Sequence, residues 1–258
     1  MNQTEAVKQQ YTDDQNLALR IQFHATYSVN KQGLVPWLFE QYRFKAHDSI
    51  LELGCGNAAQ WQGKRLPQSC KLILSDFSEG MVRAAKEKLS PAEDHVDFQI
   101  IDIQDIPFED TTFDAVIANF MLYHVPDLAK ALAEVRRVLK PSGTFYAATN
   151  GANGLHAFVR EALRHCNPRT DCFSRPFSFK LHNGGELLSG YFSSVKRVDY
   201  IDSLAVTNTQ DLIDWARSTS SVTGYTNPDQ LYDYFEAIRL RDGAINIPKE
   251  VGMFVCIK

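Results

Sequence analysis

The sequence predicts an α/β fold, a mostly parallel sheet of seven strands with helices on both faces. Three observations carry this. Short apolar runs recur from residue 50 onward, each bounded by polar or glycine-rich turns. Between several of them lie stretches with apolar residues three or four apart, the spacing of a helix with one buried face. Apolar strands alternating with such helices are the pattern of a sheet covered on both sides.

Residues 1–45 read as helical and partly amphipathic. Leu17, Ile21 and His24 fall three or four apart, with Arg20 and Phe23 on the adjoining stripe, and a second stretch from Leu34 to Tyr42 follows Gly33. The rhythm then changes to strands at Ile50–Leu53, Lys71–Asp76, Val96–Ile101, Phe113–Ala118 and Thr144–Ala148. Ser78 is placed to cap a helix running through Met81, Ala85 and Leu89. Pro126 and Asp127 open another, with Leu128, Leu132, Val135 and Leu139 on one face, and Pro141-Ser142-Gly143 is expected to stop it. Beyond Asn150 come a helix at Leu155–Leu163, a loop rich in Pro and Phe, and a short helix capped by Asn183. A sixth strand at Tyr191–Ile201, helices around Leu212–Arg217 and Asp229–Arg239, and a last strand at Val251–Ile257 complete the chain. The expected organisation is a single domain. An N-terminal helical lid (1–45) leads into a ligand-binding core (46–150). Residues 151–258 supply the remaining strands, with lid insertions at about 151–180 and 202–248.

Composition removes several functions. The chain has 258 residues, 44% of them hydrophobic, and a formal net charge of −4. Basic residues come only as short pairs such as Lys64-Arg65, Arg136-Arg137 and Lys196-Arg197, so no nucleic-acid partner is expected. The polar N-terminus lacks the apolar core of a secretory signal, and no run reaches the roughly 18 apolar residues of a membrane span. A cytoplasmic protein without a membrane partner is expected. The five cysteines form no CxxC pair and are expected as reduced thiols. The histidines show no HxxxH or HExxH spacing, so no metal site is expected.

The stretch with the most chemical content is ILELGCGNAAQ, Ile50 to Gln60. Gly54 and Gly56 let the chain bend sharply after a strand, with no Cβ to block a ligand. Asp76 ends the next strand, where an acid accepts both hydroxyls of an adenosine ribose. To this point a nicotinamide dinucleotide fits too, because Gly54, Gly56 and Ala59 match the loose GxGxxA pattern. Glu52 speaks against a pyrophosphate, which its carboxylate would repel, and for a ligand with an ammonium group. S-adenosylmethionine carries an ammonium and a sulfonium and no phosphate. Asp102 closes the third strand, where it could accept from an adenine amino group beside the Ile103 backbone N–H, and Asn119 follows the fourth. Such strand ends are where ligands gather in open α/β sheets.

Four motifs in order, LELGCGNA, LSDFSEGMV, IDIQDIPFEDTTFDAVIANFMLYHV and EVRRVLKPSGTFYAAT, resemble those of class I S-adenosylmethionine-dependent methyltransferases of the small-molecule type. The resemblance covers about residues 47–150. It implies a Rossmann-like seven-stranded sheet with an antiparallel last strand between the fifth and sixth. It also implies that Glu52, Gly54 and Gly56 surround the methionine part and that Asp76 holds the ribose. Phe77 and Met81 would flank the adenine, Asp102 and Ile103 would read its edge, and Asn119 would stand near the amine. Ala58 departs from the pattern, since many members have a third glycine there.

Methyl transfer from a sulfonium is an in-line displacement, in which alignment and exclusion of water supply much of the rate. A base is needed only where the acceptor must lose a proton. His124, with Tyr123 beside it, follows the fourth strand and is the first candidate, and His24 is another. From the N-terminal segment, Tyr11 is a candidate gate over the cofactor and Arg20 a candidate partner for the methionine carboxylate. Phe158, Phe173, Phe177, Phe179, Trp215 and Tyr225 in the insertions suit a small acceptor that is aromatic or partly apolar. Competing readings are an inactive S-adenosylmethionine-binding partner subunit, a protein methyltransferase and, more remotely, a nicotinamide oxidoreductase.

Overall fold

A computed structural model describes residues 15–89, 96–170, 172, 178–219 and 228–258. Two helices, α1 (Gln15–Tyr27) and α2 (Leu34–Gln41), precede β1 (Ser49–Leu53). Then follow β2 (Lys71–Asp76), α3 (Glu79–Leu89), β3 (Val96–Ile100), β4 (Phe113–Ile117), α4 (Leu128–Val138) and β5 (Leu139–Asn150). The last third holds α5 (Leu155–Cys166), α6 (Gly184–Ser189), β6 (Ser194–Val206), α7 (Thr209–Arg217), α8 (Pro228–Asp242) and β7 (Ile245–Ile257). The strands form one sheet in the order β3-β2-β1-β4-β5-β7-β6. Its first five strands are parallel, and β7 runs antiparallel between β5 and β6, as expected. Strand order reverses between β1 and β4, which opens a crevice at their carboxyl ends.

The period of two along each strand sorts side chains into two layers. Leu51, Leu53, Phe145 and Ala147 face the α4 layer, with Leu132 and Val135. Ile50, Tyr146 and Ala148 face the other, with Trp37, Leu38 and Ala85. Glu52 follows Ile50 by two and so points into the second layer, close to the chain that joins β1 to β2. A satellite core gathers Phe23, Tyr27, Val159, Trp215, Phe235 and Ile247 from α1, α5, α7, α8 and the long ends of β6 and β7.

Several expectations are corrected. On α1 the buried residues are Phe23 and Tyr27, whereas Ile21 is exposed; the helix turns toward Trp215, whose ring lies 6.1 Å from that of Phe23. Helix α4 ends at Val138. Leu139 already pairs with Phe113, and Pro141-Ser142-Gly143 forms an irregular stretch inside β5 rather than the helix stop. Asp127 does cap α4, accepting from the Lys130 N–H. Asn183 precedes α6 but does not cap it; its Oδ1 turns back to accept from the Lys180 N–H at 2.7 Å. Tyr191 and Phe192 lie in the turn after α6, and β6 starts only at Ser194. Strand β7 begins at Ile245, six residues before the expected start, with Pro248 inside it. The missing N–H of Pro248 is tolerated because β5 pairs with β7 only from Val251 onward, which leaves this stretch an open edge. The roots of the 202–248 insertion are therefore a two-stranded extension of the sheet, carrying α7 and α8. Phe179 belongs to the main core, and Phe158 stacks on Phe235 at 5.8 Å within the satellite core. Phe173, Phe177 and Tyr225 lie outside the described residues.

Candidate active site

The turn after β1 has the geometry its glycines suggested. Gly54 has φ 74° and Gly56 φ 57°, both in the left-handed region. A Cβ on Gly54 would stand 2.8 Å from Met121 Cβ, so the chain leaving β4 packs directly on the turn. Backbone bonds fix the turn to β2, with the Cys55 N–H donating to the Ser75 carbonyl at 2.8 Å. Ala58 adopts the left-handed conformation (φ 54°), at a cost of about 1–2 kcal/mol.

Glu52 is buried and accepts from Gln60 Nε2 at 3.1 Å and from Trp61 Nε1. Burial pushes its carboxyl up to about 7 even though these two bonds oppose the shift, and Asp76 pushes it further in the same direction. Asp76 sits at the end of β2, where its two oxygens accept from the N–H groups of Gly56 (3.0 Å) and Ser78 (2.9 Å). It thereby ties the turn to the start of α3. Met81 is buried in the first turn of that helix and Phe77 is half-buried before it. Asp102 follows β3 in a tight turn and accepts from the Gln104 N–H at 2.9 Å; Ile103 is buried beside it. Asn119 follows β4, donates to the Tyr42 hydroxyl at 2.8 Å, and leaves its buried Oδ1 without a hydrogen-bond partner. Glu52, Asp76, Asp102 and Asn119 thus stand at the carboxyl ends of four adjacent strands.

Helix α1 lies over this turn. Leu17 Cδ2 comes within 3.2 Å of where a Gly56 Cβ would be. Arg20 and His24 follow one and two turns along the same face of the helix. His124 ends the 3₁₀ turn Leu122–His124, directly after Met121, with Tyr123 packed on it at 4.6 Å. Burial pushes His124 down to about 4, and Arg20 adds to the effect, so the two approach one another although they are 104 residues apart in sequence. His156 opens α5 and meets Trp215 edge-on at 5.1 Å. Tyr11 lies outside the described residues.

Residues 51–147 match the methyltransferase domain family. The chain is similar to the ubiquinone/menaquinone biosynthesis C-methyltransferase UbiE of Geobacter sulfurreducens, with 31% identity over 150 residues, 57% of this chain and 53% of the relative. The chain spans about half the length of that curated relative. Among solved structures, the YcgJ protein of Bacillus subtilis shares the fold with a TM-score of 0.62 at 19% identity, over 87% of this chain and 97% of that one. A phosphoethanolamine N-methyltransferase 2 of Haemonchus contortus, solved with phosphomonomethylethanolamine and S-adenosylhomocysteine, does so with a TM-score of 0.52 at 17% identity, over 95% of this chain and 52% of that one. The chain has no helix, among its described residues, long and apolar enough to cross a membrane.

The residues present fit such a cofactor. The glycine cradle has no room for a Cβ at Gly54, Glu52 faces an ammonium better than a phosphate, and the buried Asn119 Oδ1 needs a donor. Four relevant residues escaped sequence reasoning. Gln60 and Trp61 hold the Glu52 carboxylate, Tyr42 holds Asn119, and His156 packs edge-on against Trp215. Only the first two had a signal in the sequence, their closeness to the turn.

Proposed function

We propose that the protein transfers a methyl group from S-adenosylmethionine to a small acceptor that is aromatic or partly apolar. The observation that carries the reading is the convergence of Glu52, Asp76, Asp102 and Asn119 on one crevice beside the left-handed glycine turn. Glu52 and Asn119 are assigned to the methionine amine, Asp76 to the ribose, and Asp102 with the Ile103 N–H to the adenine edge. Phe77 and Met81 flank the ring, and Arg20 pairs with the methionine carboxylate. When bound, the cofactor supplies a methyl group already activated on its sulfonium. The protein's part is alignment and exclusion of water. Leu17 and the α1 face cover the turn, and Tyr123, packed on His124, gives the acceptor side its aromatic character. The UbiE relative, named for a quinone-pathway C-methyltransferase, supports a ring-bearing acceptor.

His124 is assigned as the group that orients the acceptor or takes its proton. It is uncharged at neutral pH and able to accept a hydrogen bond. His24 and Tyr123 are the adjoining candidates.

The test is calorimetric titration with S-adenosylhomocysteine, followed by turnover assays on small ring acceptors. Asp76→Ala is expected to weaken binding by about 100-fold, as the loss of an ionised acceptor demands. Unchanged affinity would remove the ribose assignment. His124→Ala is expected to lower kcat at least about 100-fold with cofactor affinity retained. Normal turnover in that variant would leave His124 a packing residue, and cofactor binding with no turnover on any acceptor would favour the inactive partner subunit.

A further inference from the structure

On the adenine side of the crevice, the side chain of Gln104 lies between Asp102 and helix α4. Gln104 stands two residues after Asp102, in the loop that joins β3 to β4, and is half-buried. Its own N–H donates to Asp102 Oδ1 at 2.9 Å. Its side-chain Nε2 donates to the same oxygen at 3.0 Å and to Oδ2 at 3.2 Å. At the other end of that amide, Oε1 accepts from the N–H of Asp127, the residue that caps α4, at 3.0 Å. These neighbours fix one orientation of the amide, because a backbone N–H only donates and a carboxylate only accepts. The rest of the loop is held by the same helix. Glu134 Oε2 accepts from the Ile106 N–H at 2.9 Å, and Arg137 donates to the carbonyls of Ile106 and Phe108 at 2.8 and 2.7 Å. The segment from Asp102 to Phe108 is therefore tied to α4 at the start of the helix and again in its second half.

A carboxylate has about four acceptor positions, two on each oxygen. Two donors fill Asp102 Oδ1, whereas among the described residues Oδ2 carries only the longer bond from Nε2. Oδ2 is the oxygen with room for a ligand's donor, and the Gln104 amide sets the plane of the carboxylate that presents it. Without the amide, the bond from the Gln104 N–H is left to restrain the terminal torsion of Asp102, which is broad by nature. We propose that Gln104 is a positioning residue for recognition of the cofactor's base: anchored on α4, it turns Asp102 Oδ2 toward the 6-amino group of the adenine. This rests on the methyltransferase reading above and adds to it a residue that acts through Asp102.

Calorimetric titration compares S-adenosylhomocysteine with its analogue that carries hydrogen in place of the 6-amino group. Both keep the ring nitrogen beside that position, so the ratio of their affinities reads the amino group alone. The wild-type protein is expected to favour the amino form by about tenfold or more, the worth of a hydrogen bond to a charged group. Gln104→Met keeps the length of the side chain, removes the amide, and is expected to lower the ratio by at least about threefold. Gln104→Glu keeps an acceptor for the Asp127 N–H but sets a second carboxylate against Asp102. It is expected to lower the ratio too, so a variant that fails to fold leaves the other informative. Asp102→Ala should bring the ratio to about one, and adding Gln104→Met to it should change the ratio no further. A merely structural role of Gln104 would weaken both ligands alike and leave the ratio where it was. A ratio unchanged in the folded Gln104 variants, a ratio that still responds to Gln104→Met once Asp102 is gone, or no preference for the amino form in the wild-type protein would overturn the proposal. Absence of saturation by S-adenosylhomocysteine in the wild-type protein would instead overturn the methyltransferase reading beneath it.

Discussion

Glu52 is an acid placed in a layer of apolar side chains by the alternation of β1. Its unfolded carboxyl ionises in the usual range, and burial lifts the folded one to about 7. Between those values the folded protein holds a proton that the unfolded chain has lost. Stability from this group therefore falls as pH rises through the window, and the cost is complete above about pH 7. A bound ammonium reverses the balance by favouring the carboxylate. Binding of S-adenosylhomocysteine should release a proton below about pH 7, and affinity should fall toward tenfold per unit as pH drops. Calorimetry across pH measures both, and Glu52→Gln should flatten the profile; a flat wild-type profile would detach Glu52 from the amine. Position made Glu52 legible in sequence, as it did Asp76, because a strand's last residues face its carboxyl end. Trp61, which holds the carboxylate, reads equally well as packing until its indole N–H is seen to point at Glu52.

Helix α1 joins two parts of the protein. Its Phe23–Tyr27 face is held by the satellite core, where Phe23 meets Trp215 and the Tyr27 hydroxyl donates to Asp211. Leu17 lies against the glycine turn, and Arg20 and His24 follow on the same stripe. Phe23→Ala should destabilise the fold by about 3–5 kcal/mol, measured by denaturant titration. It should also weaken S-adenosylhomocysteine binding, because the stripe loses its footing. Lost stability with full affinity would show that α1 plays no part in cofactor binding. The sequence announced an N-terminal helix but misjudged its buried face. Ile21 and Phe23 are both apolar, and the partner that chooses between them, α7, lies almost 200 residues further along the chain.

For the whole molecule, the junction of β6, β7 and the N-terminal segment depends on a buried ion pair. The side chains of Lys249 and Asp202 are 6% and 0% exposed and 2.7 Å apart, and Asp202 also accepts from Ser28 and from the Asn30 N–H. Asp202→Ala would leave the Lys249 ammonium buried without its partner. A loss of about 3–5 kcal/mol in equilibrium unfolding is expected, with a smaller loss when Lys249→Met is added. Equal stability of the single variant and the wild-type protein would show that water reaches the site. The sequence by itself determined the sheet, its order of elements, the glycine turn and the acids at the strand ends, because these follow from local period and from strand direction. Only the tertiary structure decided which face of α1 is buried and what holds Glu52. Those depend on contacts between residues far apart in the chain, whose apolar or polar character alone does not say which partner each will find.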